Sequence, residues 1–258
     1  FLGTGSAFTL PVGDEEKNWQ SNMLIEVPGQ QQGLLVDCGG DARHSLHEVG
    51  KGYLDVGAVY LSHLHNDHIG GLEWLAFATY FDPRYKPFGK PRLITHQTLV
   101  KPLWDESLRG GLGSMQVVIA NLDTYFNVEP VAPNTGFVFG EQTFELVQTV
   151  HFMNGREIVP SYGLRFTTNK GTKVFITTDT QFCPHQIVDY YRWADLIFHD
   201  VETAPFKSGV HAHYSDMKTL LADLKAKMWL YHYQPGALPD SRADGFKGFV
   251  KKGQAFEL

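Results

Sequence analysis

Two cysteines, Cys38 and Cys183, in 258 residues are too few to staple a disulfide scaffold, so the core must hold the fold. Long apolar runs are missing as well, and none is uninterrupted enough to cross a bilayer. Positive charge is in deficit: 22 Lys and Arg stand against 28 Asp and Glu, a net charge of −6. Stable, nonspecific binding of nucleic acid needs a basic surface and is disfavoured on that ground. A small anionic ligand stays open, because bound metal ions would supply local positive charge. No Ser/Pro/Gly-rich linker or fixed-period repeat divides the chain, so residues 1–258 read as a single domain. The first residue is Phe, and Phe1-Leu2-Gly3 reads as a first strand rather than a secretory apolar segment. Both cysteines read as reduced packing residues of a cytoplasmic protein.

Histidine is plentiful, and it is concentrated. Ser62-His63-Leu64-His65-Asn66-Asp67-His68-Ile69-Gly70-Gly71 follows the apolar run Ala58-Val59-Tyr60-Leu61, which reads as a buried strand. Histidines two apart on extended chain point the same way, so His63 and His65 can grip one metal ion. Asp67 and His68 come after the chain has begun to turn and can face a second ion. Neutral imidazoles with carboxylates suit Zn²⁺, and also Mn²⁺ or Fe²⁺. The motif is far more specific than a lone His-x-His.

Around it, 22–27 and 33–37 read as strands joined by Pro28-Gly29-Gln30, and 41–49 as a helix. Residues 69–81 read as an aromatic-rich helix whose Trp74, Phe77, Tyr80 and Phe81 serve the core or a partner surface. The segment 98–133 is least readable: 99–108 has helical spacing, and Arg109-Gly110-Gly111-Leu112-Gly113-Ser114 reads as a flexible hinge. Strands are expected at 137–139, 143–150, 162–167, 174–178, 196–198 and 228–231, and helices at 184–191 and 215–225. Several apolar runs end in a polar group of chemical use: His63, His151, Asp179, His199-Asp200 and His232. One histidine ending a strand is ordinarily just solvated. Five such endings point to strand ends converging on one cleft.

The stretch from His63 to Gly71 resembles the signature of the metallo-β-lactamase superfamily, and Phe1-Leu2-Gly3-Thr4-Gly5-Ser6-Ala7 resembles its phosphodiesterase branch. The resemblance implies an α/β architecture, the αββα sandwich. It implies one ion on His63, His65 and His151, a second on Asp67, His68 and His232, and Asp179 bridging both. Asp37 is expected to brace the metal loop, the alternative being a helix cap. His199-Asp200 with Ala212-His213 resembles the family's acid–base elements, although the tRNA endonucleases carry Glu where Asp200 stands. Glu202 competes for that role. His44, His47, His96, His185 and His211 are read as surface or packing residues.

The implied chemistry is phosphodiester hydrolysis by two ions about 4 Å apart, with Asp67 or Asp179 orienting the nucleophile and His213, held by Asp200, protonating the leaving oxygen. A tRNA 3′-end endonuclease (tRNase Z) grips its substrate with an arm between the motifs matched by His151 and Asp179. Those residues lie only 28 apart, which two strands fill. The chain looks most like compact bacterial and phage enzymes that degrade cyclic mononucleotides (cCMP, cUMP, cAMP, cGMP), whose phage members destroy antiphage signals. That implies a cytoplasmic homodimer, in the host cytoplasm if phage-encoded, with 98–133 near the subunit boundary. A catalytically dead interaction module, a glyoxalase II and a flavodiiron protein are competing classes. The full ligand set with both acid–base elements disfavours the first and second, and the missing flavin domain disfavours the third.

Overall fold

The computed structural model describes residues 1–9 and 18–258. Two sheets face each other between two helical layers. The first holds β1 (Met23–Ile25), β2 (Gly33–Val36), β3 (Val56–Leu61), β4 (Arg92–His96) and, past a two-stranded hairpin of β5 (Ser114–Met115) and β6 (Val118–Ile119), the edge strand β7 (Asn127–Val131). The second runs from β8 (Gly136–Phe139) through β9 (Gln142–Asn154), β10 (Glu157–Thr167), β11 (Lys173–Ile176), β12 (Leu196–Asp200) and β13 (Met228–Tyr231) to β14 (Gly248–Phe249). This is the αββα sandwich that the resemblance implies.

Side-chain alternation builds the layers. Along β2 and β3, Leu34, Val36, Ala58 and Tyr60 face the second sheet, while Leu35, Val59 and Leu61 face helices 42–48 and 72–81. Phe137, Phe144, Leu164, Val174 and Phe198 answer from the second sheet. On its far side Phe175, Ile197 and Leu230 pack on Ile187, Tyr191 and Met217 of the outer helices. The Tyr60 hydroxyl donates to the Tyr162 carbonyl at 2.7 Å, crossing the interior without an unmet polar group.

Strand direction places the site. β2, β3, β4 and β7 run parallel, as do β11 to β14. β9 shares the direction of β11, because β10 lies antiparallel to both. All of these carboxyl ends therefore open on one edge of the sandwich.

Three expectations are corrected. Residues 109–114 are no hinge: Arg109–Leu112 is helical and Leu112 is fully buried. It continues a rod that starts at Gln97, whose Pro102 cannot donate a backbone hydrogen bond and is followed by a π-helical turn, Leu103–Leu108. The helix expected over 215–225 is split into Tyr214–Met217 and Ala222–Lys225, where the Thr219 hydroxyl takes the Asp216 carbonyl and Leu221 turns extended. The start of the chain is no regular strand, and its Gly5 makes single bridges to Gln20 and Tyr233. Cys38 is buried, Cys183 half-buried, and neither is in a disulfide.

Candidate metal centre

His63, Asp179 and His232 lie just past the ends of β3, β11 and β13, His151 sits near the end of β9, and Asp67 and His68 open the short helix Asn66–Ile69; some of these strand ends turn through an unusual backbone conformation. Asp37, Thr178 and His232 all have positive φ (60°, 53° and 67°) just past β2, β11 and β13. Such a conformation costs a non-glycine residue on the order of 1–3 kcal/mol. It turns the chain sharply, so that Asp37, Asp179 and His232 meet the loop 63–68.

Two groups of donors result, each with ligand atoms within 4.8 Å of one another: His63, His65, His151 and Asp179, and Asp67, His68, Asp179 and His232. Asp179 belongs to both. Its Oδ2 lies 3.7 Å from His63 Nε2, 3.7 Å from His151 Nε2 and 3.3 Å from His68 Nε2. Its Oδ1 lies 3.5 Å from His232 Nε2. Asp67 Oδ2 stands 3.2 Å from His68 Nε2 and 3.3 Å from His232 Nε2.

The surrounding hydrogen bonds decide which ring nitrogen faces inward. Asp37 Oδ2 accepts from His68 Nδ1 at 2.8 Å and from the Ser62 hydroxyl, which in turn accepts from His63 Nδ1. The Val210 carbonyl accepts from His151 Nδ1 at 3.1 Å. In all three imidazoles the proton is drawn outward to Nδ1 and the Nε2 lone pair is left for a cation. His65 enters by its Nδ1, 3.0 Å from His151 Nε2, its ring stacked on Phe152. The Nε2 atoms of His63 and His68 and Oδ1 of Asp179 are buried without a hydrogen-bond partner. Convergent lone pairs, unmet and shielded from water, are the donor set that a pair of borderline divalent cations requires. The residues fit the implied metals. Asp37 is thus seen bracing the metal loop and capping no helix.

Charge is divided between the halves. Burial pushes the His63 and His151 imidazoles down, His151 to about 4. Burial also acts against the charged forms of His68 and His232, but the carboxylates around them together outweigh it and raise both imidazoles: Asp179, Asp67 and Asp37 around His68, and Asp179, Asp200 and Asp67 around His232. Asp67 stays ionised despite burial because His68 and His232 flank it.

A third set abuts these two. His211 Nδ1 lies 2.9 Å from Asp200 Oδ2 and 3.8 Å from Asp179 Oδ2. Burial opposes the charged form of His211, yet the Asp200 carboxylate raises its pKa.

The expectation that His213 partners Asp200 is not met. His213 caps the helix Tyr214–Met217: its Nδ1 is 2.8 Å from the Ser215 hydroxyl, and its Nε2 donates to the Ala204 carbonyl at 2.9 Å. Both ring nitrogens are engaged away from Asp200, and His211, read from sequence as a surface or packing residue, takes the place. The sequence carried no signal to separate the two, since both histidines flank Ala212 and His is not one of the usual residues that mark a helix start. Glu202 is occupied elsewhere, accepting from the Ser208 amide. His96 stacks on Tyr162 with ring centroids 4.1 Å apart, a packing role.

Comparison with known proteins bears on the family and the fold. A family model described as "Anti-Pycsar protein Apyc1" matches residues 1–256. A protein of that name from Paenibacillus harenae is 35% identical over 237 residues, covering 90% of this chain and 88% of the relative. Another, from Bacillus phage 010DV004, is 29% identical over 268 residues, covering 100% of this chain and 96% of the relative. Among solved structures, the metallo-β-lactamase fold protein YhfI from Bacillus subtilis superposes with a TM-score of 0.69 at 18% identity, over 98% of this chain and 96% of its own.

Proposed function

Because the chain belongs to the Anti-Pycsar Apyc1 family, we propose that it is a metal-dependent phosphodiesterase opening 3′,5′-cyclic mononucleotides to linear monophosphates. Cyclic pyrimidine nucleotides, cCMP and cUMP, are the substrates that the anti-Pycsar name points to, with cAMP and cGMP in the same class. The observation that carries the reading is the acid pair His211–Asp200 beside Asp179, within reach of both donor groups.

His63, His65 and His151 would hold one ion, Asp67, His68 and His232 the other, and Asp179 both; zinc suits this donor set best. When bound, such ions neutralise charge on phosphoryl oxygens and acidify the attacking water. Asp67 and Asp179, kept ionised by their histidine neighbours, orient that water in line with the leaving sugar oxygen. His211, with Nδ1–H donated to Asp200, carries its transferable proton on Nε2 and gives it to the leaving oxygen. General-acid help of this kind is worth ~10²–10⁴-fold.

The tRNA endonuclease reading lacks its arm. β9 and β10 are joined by a tight turn at Gly155-Arg156, and among the described residues nothing is inserted there. Residues 1–258 act as one domain on a small substrate. The protein works in the cytoplasm, the host's when phage-encoded, where it removes a defence signal, and it does so as a homodimer. Among the described residues no helix is long and apolar enough to cross a membrane. A substrate panel tests the reading: cyclic mononucleotides should be opened and a tRNA precursor with a 3′ trailer left intact. Trailer removal without cyclic-nucleotide turnover would overturn it.

A further inference from the structure

Two buried atoms behind the metal centre face each other with no other partner among the described residues. They are Asp200 Oδ1 and His232 Nδ1, 3.4 Å apart and both inaccessible to water. The other oxygen of the same carboxylate is fully engaged: Oδ2 accepts from the Thr180 amide at 2.9 Å and from His211 Nδ1 at 2.9 Å. The other nitrogen of the same imidazole, His232 Nε2, faces Asp67 and Asp179.

We infer that Asp200 is a positioning residue for the metal centre as well as the support of His211: through Oδ1 it fixes the His232 tautomer that can bind a cation. An imidazole ligates through a lone pair, so His232 must carry its proton on Nδ1, and Asp200 Oδ1 is the acceptor placed to keep it there. One carboxylate thereby ties the proton donor to the second-ion ligand. The inference rests on the two-ion reading and adds a residue to it that touches no ion.

Asparagine at 200 exposes the arrangement. The Thr180 amide and His211 Nδ1 both donate to the Oδ2 position, so the new side chain must put its oxygen there. Its NH₂ then lands opposite His232 Nδ1 and demands a lone pair from it. The His232 proton moves to Nε2, the atom that should bind metal, while the His211 contact survives. Asp200→Asn should therefore weaken the second ion by about 10–100-fold, the range expected for lost outer support. His211→Ala should leave both ions in place.

The test is ion content after a graded chelator challenge, on purified full-length wild type, D200N and H211A loaded with Zn²⁺. One ion lost from D200N at a chelator concentration where wild type and H211A keep two is the expected result. D200N retaining both, or H211A losing as much as D200N, would overturn the inference. Wild type that never holds two ions would overturn the two-ion reading itself, and the inference with it. Should D200N fail to fold, long-range ¹H–¹⁵N correlation on Zn²⁺-loaded wild type reads the tautomer directly. A His232 proton on Nδ1 is expected, and a proton on Nε2 contradicts the inference.

Discussion

At the scale of the residue, the roles of neighbouring histidines separate by what each nitrogen touches. His211→Ala should slow hydrolysis of a cyclic nucleotide by ~10²–10⁴-fold and affect a p-nitrophenyl ester much less, since that leaving group needs little protonation. His213→Ala removes a helix cap worth ~1 kcal/mol and should lower stability slightly with turnover unchanged. Steady-state rates on both substrates check this, and equal losses for H211A on the two would remove its role as acid. Ion loading should also depend on pH unequally. The carboxylates around His68 and His232 raise both imidazoles above their ordinary value, so a cation there must displace protons and should bind more tightly as pH rises. His63 and His151 are already neutral near pH 7 and load with little proton release. Calorimetry in buffers of different ionisation enthalpy should assign most released protons to one of two binding events, and equal release in both would contradict it. The run His63 to His68 was legible because its ligands are neighbours in sequence. Choosing His211 over His213 was not, since both stand at the same parity and only the cap geometry tells them apart.

At the scale of the element, the centre depends on two loops packed without room to spare. The Cys38 amide donates to the His68 carbonyl at 2.7 Å, and the Gly71 amide donates to the Cys38 carbonyl at 2.8 Å. A Cβ on Gly39 would lie 2.1 Å from the Asp67 carbonyl oxygen. Gly39→Ala should therefore push the metal loop away, cost about 1–3 kcal/mol as overpacking does, and lower ion content. Gly52→Ala, with nothing within 4 Å, is the control. Thermal unfolding and metal analysis of both variants check this, and a Gly39→Ala protein with unchanged Tm and two ions would contradict it. Strands that are short continuous apolar runs were readable, and Met228–Tyr231 appears with its expected bounds. β4, β7 and β14 were not. β7 contains Pro130, which argues against a strand until one knows it lies at the sheet edge, and β14 is two residues long.

At the scale of the molecule, the same resemblance that named the αββα sandwich also raised a partner surface. Tyr80 and Phe81 are 39% and 62% exposed at the end of the helix Leu72–Phe81, beside a groove lined by Arg43, Glu73, Trp74 and Phe77. Apolar area of this kind is commonly covered by a second subunit. Light scattering at micromolar concentration should give the mass of two chains, and Phe81→Asp should shift it toward one; a wild-type monomer would remove this surface from the account. On the proposed function, the seven ligand candidates form a two-ion centre that hydrolyses cyclic mononucleotides. Chelator-stripped protein should be titrated with Zn²⁺ or Mn²⁺ while cCMP turnover and bound metal are read together. Turnover should be absent without metal and should plateau at two ions per chain. Turnover that survives stripping, or a plateau at one ion, would contradict the account.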